Sequence, residues 1–280
     1  MKILFTGNGT SGSWKIRGEQ LGSACGGIIK PKATRQDLKQ ADVVVVVKRV
    51  SDQLLEDIRA SGKPWIFDIV DFYPQPECTN WSKSQSIDWV KTRLKLLHPN
   101  AIIWPNKCMM HDCANGAPGL VLPHHYRPGM TINPIRENVK LIGYEGARNY
   151  VGNWLGPILE QCIKRGWQFR INTFEMAEMD IVLAIRDDHV NGYAQRHWKS
   201  NVKLANAHGS GTPFIGPLEQ GYLENSTGLE MWADDVRDLP RVFDRLESSS
   251  LRKNIRDTFL NKSISVEKCA TQLKEFIDAM

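Results

Sequence analysis

Short apolar runs alternate with longer amphipathic segments along most of this 280-residue chain. The runs KILFT (2–6), GGIIK (26–30), DVVVVVK (42–48), PWIFDIV (64–70), AIIWP (101–105) and GLVLP (119–123) predict strands. Between them WKIRGEQLGSA (14–24), TRQDLKQA (34–41), SDQLLEDIRASG (51–62), SKSQSIDWVKTRLKLL (82–97) and KCMMHDCAN (107–115) carry helical spacing. Thr34 and Ser51 stand where N-caps belong, and Gly62 where a helix ends in a left-handed residue. Strands that are apolar throughout, separated by helices, mean a parallel sheet covered on both faces.

The segment HHYRPGMTINPIRENV (124–139) breaks the rhythm with prolines, a glycine and polar residues, and predicts a linker. Alternation then restarts. VKLIGY (139–144), WQFRINT (167–173), MDIVLAIR (179–186) and TPFIG (212–216) predict strands. Helices are expected over 151–166, through WKSNVKLANAHG (198–209), around 234–247 and 249–260, and over 265–279. The halves echo each other: Asp42 leads into VVVVV and Lys48, and Asp180 leads into IVLAI and Arg186, with equal spacing from acid to base. The expected architecture is α/β, with two facing Rossmann-like doubly wound domains at 1–130 and 131–264 and a closing helix at 265–280 that crosses back to the first. Such domains turn the C-terminal ends of their strands to a common cleft.

Composition narrows the class. With 41% hydrophobic and 24% charged residues the chain can bury one large core or two ordinary ones. No apolar run reaches the ~18 residues of a membrane span, and the N-terminus runs from a strand into glycines instead of a signal-peptide core. A cytoplasmic protein is expected. The six cysteines lack C-x-x-C spacing, so they are expected to be reduced. The cluster Cys108, His111 and Cys113 reads as a short helix with partly buried thiols, and no metal site is expected. Net charge is uneven: residues 1–130 hold seventeen Lys and Arg against eleven Asp and Glu, a net of +6, while residues 131–280 come to −1. An acidic partner for the first half and an ordinary solvated surface both fit that asymmetry.

Gly7-Asn8-Gly9-Thr10-Ser11-Gly12 matches G-x-G-x-x-G directly after the first strand. A dinucleotide site also needs an acidic residue about 20 positions on, at the end of the second strand, to hold the ribose. That strand ends in Ile29-Lys30-Pro31-Lys32, with no carboxylate. What survives is a glycine turn that can bring backbone amides to a phosphate or a sugar hydroxyl.

The stretch Lys199-Ser200-Asn201-Val202-Lys203-Leu204-Ala205-Asn206-Ala207-His208-Gly209-Ser210-Gly211-Thr212-Pro213-Phe214-Ile215 is the most specific in the chain. It resembles the donor-site helix of GT-B glycosyltransferases, in which a pattern like K-L-x-E-A-x-A-x-G-T-P-V-I precedes a strand and a loop ending in a glutamate. Here that loop is GPLEQGYLE, with Glu219 and Glu224. Gly143-Tyr144-Glu145-Gly146-Ala147-Arg148 is similar to the strand and glycine loop beneath the donor diphosphate in the same family. The resemblance implies a transferase that takes a nucleoside-diphosphate sugar, of UDP type, as substrate and needs neither cofactor nor metal. Asp187-Asp188 has the wrong spacing for a metal-binding D-x-D. It also implies Gly146, Ala147, Asn206, Thr212 and Glu224 at the donor. Cleaving such a donor builds charge on the leaving diphosphate, which cations must meet, and Arg148 and Lys203 are placed for this. One departure matters: retaining families carry a Glu-x7-Glu pair at the positions held here by Trp198 and Asn206, so neither stereochemistry nor sugar carries over.

The acceptor side falls to the first domain, with Gly9, Ser13 and Arg17 lining it and Asp71, after the fourth strand, as general base. His98 and His124 are weaker candidates. Trp14, Tyr73, Trp81 and Trp89 lie among the cations of that domain, which suits DNA carrying a modified base, as in phage-type enzymes. The same features suit an acidic glycan, a lipid-linked acceptor or a small molecule. An NAD(P)- or nucleotide-sugar-binding Rossmann protein, an epimerase, a dehydrogenase or a noncatalytic binder, remains the alternative.

Overall fold

A computed structural model describes residues 1–74, 77–187 and 192–280. It divides into two compact units: Met1–His124 with His197–Ser200 and Val266–Met280, and His125–Arg196 with Asn201–Ser265.

Unit 1 is built on strands β1 (Ile3–Gly7), β2 (Ile28–Lys30), β3 (Val43–Val47), β4 (Trp65–Asp68), β5 (Ala101–Trp104) and β6 (Gly119–Val121). They form one sheet in the order β2-β1-β3-β4-β5-β6, every pair parallel. Every residue of β3 is buried, as a β-branched run between two helical layers requires. The intervening helices are α1 (Leu21–Ala24), α2 (Arg35–Gln40), α3 (Asp52–Ala60), α4 (Lys83–Leu97) and α5 (Lys107–Cys113). Thr34 and Ser51 cap α2 and α3 through their side chains, and Gly62 follows α3 at φ 65.

The first helix departs from its expected α form. Trp14–Gln20 is π-helical before it runs into α1. The cause is a packing demand: the Trp14 indole is buried against Gly18, where a Cβ would lie 2.4 Å from Cε3, and its Nε1 donates to Glu19 Oε1 at 3.0 Å. Widening the helix from i→i+4 to i→i+5 bonding makes room for the ring.

Unit 2 carries β7 (Leu141–Tyr144), β8 (Gln168–Ile171), β9 (Ile181–Leu183), β10 (Phe214–Gly216) and β11 (Met231–Trp232), in the order β11-β10-β9-β7-β8, again all parallel. Helices α6 (Leu155–Arg165), α7 (Tyr193–Trp198), α8 (Val202–Ser210), α9 (Gln220–Leu223), α10 (Leu239–Leu246) and α11 (Ser249–Lys262) follow, and α12 (Val266–Asp278) packs on α1 in unit 1. The helix expected over 198–209 is broken between α7 and α8. Trp198 belongs to unit 1, where it is fully buried and its Nε1 donates to Asp112 Oδ2 at 3.0 Å.

Counted within each unit, both sheets run 2-1-3-4-5, with a sixth strand added in unit 1. The repeated Asp–strand–cation pattern has one structural meaning in both. Asp42 Oδ2 accepts from Lys2 N at 2.6 Å, and Asp180 Oδ2 from Lys140 N and Leu141 N at 2.7 and 2.9 Å. Each aspartate thus ties the entry of the central strand to the start of its neighbour. At the far end Lys48 pairs with Asp71 after β4, and Arg186 with Glu219 after β10.

The segment 124–139 has no regular structure but is strapped into unit 2. Asn133 is fully buried, and its Nδ2 donates to Met179 O at 2.7 Å and to Thr212 Oγ1 at 3.0 Å. Among the described residues no helix is long and apolar enough to cross a membrane.

Candidate active site

In a sheet of order 2-1-3-4-5 the strand order reverses between the first and third strands, and ligands settle in the crevice beyond their C-terminal ends. In unit 2 that point lies past β7 and β9. Beyond β7 the chain enters the loop Glu145–Ala147, a 3-10 turn Arg148–Tyr150, a second turn Gly152–Trp154 and then α6. Gly146 has φ 152, and a Cβ there would lie 3.0 Å from Tyr144 Cε1 and 3.2 Å from Lys203 Nζ. Only glycine lets the loop pass this close to the lysine.

Lys203 reaches the loop from the first turn of α8. Its ammonium lies 4.3 Å from the centre of the Tyr144 ring and donates to Tyr144 Oη at 3.3 Å. Tyr144 Oη in turn donates to Ile185 O at 3.2 Å, and burial pushes its hydroxyl up to about 12. One turn along, Asn206 is 7% exposed and well engaged: Nδ2 donates to Glu145 Oε1 at 2.8 Å and Oδ1 accepts from Arg127 N at 3.0 Å.

Glu145 is therefore the centre of the cluster. Its Oε1 is held by Asn206, while Oε2 is enclosed with no hydrogen-bond donor among the described residues. Burial raises its carboxyl to about 7, against the pull of Lys203, Asn206 and Arg127 toward the ionised form. A carboxylate with one oxygen unsatisfied beside an ammonium is an acceptor awaiting a donor, and such perturbed groups gather at functional sites.

Beneath the cluster, Arg186 Nε and Nη2 donate to the two oxygens of Glu219 at 2.5 and 3.1 Å, both residues buried. Burial alone would make Arg186 easier to deprotonate; the paired carboxylate reverses that and keeps it charged. The end of α8 is pinned by His208, whose Nε2 lies 2.8 Å from Glu230 Oε1. Burial would raise the Glu230 carboxyl, but hydrogen bonds from His208, Ser226 and Thr227 hold it at about 2.

The structure thus brings Gly146, Lys203 and Asn206 together around Glu145. Ala147 caps the 3-10 turn and Arg148 begins it, both exposed, and Arg148 makes no ion pair among the described residues. Two other residues stand apart. Thr212 is fully buried, its Oγ1 donating to Met176 O at 3.0 Å and accepting from Asn133, so it closes a polar joint in the interior. Glu224 is exposed at the end of α9, while Glu219 of the same loop turns inward to Arg186. Asp187 is buried and accepts from Asn153 N at 2.5 Å just before α6; Asp188 lies outside the described residues.

In unit 1, Gly9 lies on the glycine loop at φ 77, and Ser13 sits half-buried at the start of the first helix. Arg17 is an interior residue: it is fully buried, its Nη2 donates to Leu122 O at 2.5 Å, and its Nε lies 3.6 Å from Asp68 Oδ2. Despite that cation, burial raises the Asp68 carboxyl. Asp71 lies half-buried with Oδ1 2.5 Å from Lys48 Nζ. His98 ends α4 at φ 51, and His124 is buried.

No family model matches the sequence, and no curated protein does. Solved structures do match in three dimensions. Anabaena HepE in complex with UDP and glucose aligns over 100% of both chains at TM-score 0.66 and 10% identity. The fold is GT-B. A glycosyltransferase from Rickettsia africae aligns over 99% of this GT-B chain and 98% of its own, at TM-score 0.58 and 7% identity. AviGT4, a glycosyltransferase involved in avilamycin A biosynthesis, aligns over 99% and 97% at TM-score 0.55 and 11% identity. At such identities the fold is common while the side chains are not. Glu145 is the residue that motif reasoning passed over. Its signal was available: a carboxylate directly before the loop glycine, in a chain whose helix pattern carries Asn206 in place of a glutamate.

Proposed function

We propose that the protein is a glycosyltransferase that moves a sugar from a nucleoside-diphosphate sugar to an acceptor hydroxyl. One observation carries the reading: the Lys203 ammonium, packed on Tyr144 against Gly146, stands beside the half-satisfied Glu145 carboxylate at the unit 2 switch point. HepE has been solved with UDP and glucose, with UDP and with UDP-glucose, which supports a uridine donor.

The donor enters as a substrate. Lys203 and Arg148 meet the diphosphate, and the loop amides at Gly146 and Ala147 add fixed donors to it. Glu145 Oε2 is closed off in the structure and accepts from a ribose hydroxyl once the loop at Gly146 shifts to admit the donor, so the carboxylate missing at 206 is supplied from the loop after β7. In the transfer, the bond from the anomeric carbon to the diphosphate oxygen breaks and the acceptor oxygen forms the new bond. The acceptor proton passes to a base, for which Asp71 is the candidate, and the nucleoside diphosphate leaves with its charge held by the two cations. Residues 1–130 serve the acceptor and 131–264 the donor in this reading.

Thermal stabilisation by a panel of nucleotide sugars, run beside NAD and NADP, tests it. Stabilisation by UDP or a UDP-sugar is expected. Stabilisation by NADP alone returns the chain to the dinucleotide-binding class.

A further inference from the structure

Unit 1 has its own switch point, between the ends of β1 and β3. There a pocket of about 110 Å³ is lined by the loop Asn8–Ser11, Trp14, Val47, Lys48 and Arg49. At ~10–15 Å³ of such space per water it holds several waters. That leaves ample room for one phosphate group.

The lining is built for an anion. Two cations border the pocket and no carboxylate does. Arg49 is exposed and makes no ion pair among the described residues. The N–H groups of Gly9, Thr10 and Ser11 donate to no described residue, and Gly9 is irreplaceable in the loop, since a Cβ would lie 2.2 Å from Pro31 Cβ. Loop amides left open to solvent in this way can form anion-binding concavities.

The ends of the two strands that lead to the Lys48–Asp71 pair are strained. Lys48 has φ 61 and Val70 φ 50, and a β-branched residue in the left-handed region is a costly conformation that tends to mark function. The corresponding ion pair of unit 2, Arg186–Glu219, is sealed at 8% and 1% side-chain exposure. Lys48–Asp71 stands open at 18% and 19%. The same device is closed in one unit and left accessible in the other, so folding alone does not call for the opening.

We propose that this pocket holds the phosphate group of the acceptor, so that the hydroxyl compound receiving the sugar is a phosphate ester. Arg49 and the loop amides take the phosphate oxygens, and Lys48 remains with Asp71 at the rim. The word acceptor rests on the glycosyltransferase reading; the phosphate site rests on unit 1 alone.

The test uses the whole 280-residue chain with UDP in excess, so that phosphate affinity of the unit 2 site is masked. Glycerol 3-phosphate, a monoester, and a short oligothymidylate, a chain of diesters, are titrated calorimetrically into the wild type, Arg49→Ala and Arg49→Lys. Binding of either probe, weakened about tenfold or more by Arg49→Ala and largely kept by Arg49→Lys, is expected from the loss of a charge-assisted contact. The probe that binds names the source of the phosphate, and a steep salt dependence accompanies the oligonucleotide if it is the one. Binding of neither probe, or equal affinity in wild type and Arg49→Ala, overturns the proposal. If UDP itself does not bind, the donor reading fails, and the same titrations without UDP still decide the pocket.

Discussion

Replacing Glu145 by glutamine removes a charge that the fold holds at a cost, and the size of the effect follows from its position. The carboxyl titrates at about 7 in the folded protein against an ordinary 4.5. A shift of that size corresponds to about 3 to 4 kcal/mol at ~1.4 kcal/mol per unit, and to about 2 to 3 kcal/mol once solvent access to the half-buried residue is allowed for. Because the folded state binds the proton more tightly than the unfolded chain, the contribution to stability is fully present below pH 4.5 and is lost as pH rises through about 7. A glutamine side chain in its place would not titrate. Urea unfolding of wild type and Glu145→Gln at pH 5 and pH 8 measures the difference. The variant is expected to gain about 2 to 3 kcal/mol on the wild type over that interval. Parallel stability curves would refute the enclosure of Glu145 and with it the reading of Oε2 as an acceptor awaiting a ligand.

The remaining predictions concern the same site and its supports. Glu145→Gln should bind UDP and 2′-deoxy-UDP more nearly alike than the wild type does, because the carboxylate that accepts from the ribose is gone; calorimetry with both nucleotides checks this. Lys203→Ala should weaken UDP binding by roughly 10- to 100-fold, the scale of one charge-assisted hydrogen bond, with a melting temperature close to that of the wild type. Thr212→Val should cost about 1–3 kcal/mol in stability, because Asn133 loses an acceptor in a buried joint, while UDP affinity is unchanged; denaturation and titration of the same sample separate the two.

The parts of this architecture that follow from local periodicity were legible in the sequence. The runs of β3 and β9 and their flanking Asp42–Lys48 and Asp180–Arg186 declared two similar parallel sheets, because a buried central strand must be apolar on both faces. The caps Thr34 and Ser51 were legible for the same local reason. What was hidden depends on contacts far apart in the chain. Thr212 sits in a motif that suggests a ligand, yet Asn133, 79 residues earlier, claims its hydroxyl. Arg17 lies on the helix after the glycine loop, and only the approach of Leu122 and Asp68 makes it an interior residue. Trp198, at the first position of the Glu-x7-Glu spacing, is drawn instead to Asp112 in unit 1. The pairing of Asn206 with Glu145 is also tertiary, and it puts a carboxylate back beside the position where the helix pattern lacks one.

The measurement that bears most directly on the central claim is a calorimetric titration of UDP and UDP-glucose into the wild-type protein and into Lys203→Ala. Saturable binding to the wild type, lost or weakened by at least about tenfold in the variant, is the predicted result. Binding that ignores Lys203, or none beside tight binding of NADP, would contradict a nucleotide-sugar site at the end of β7.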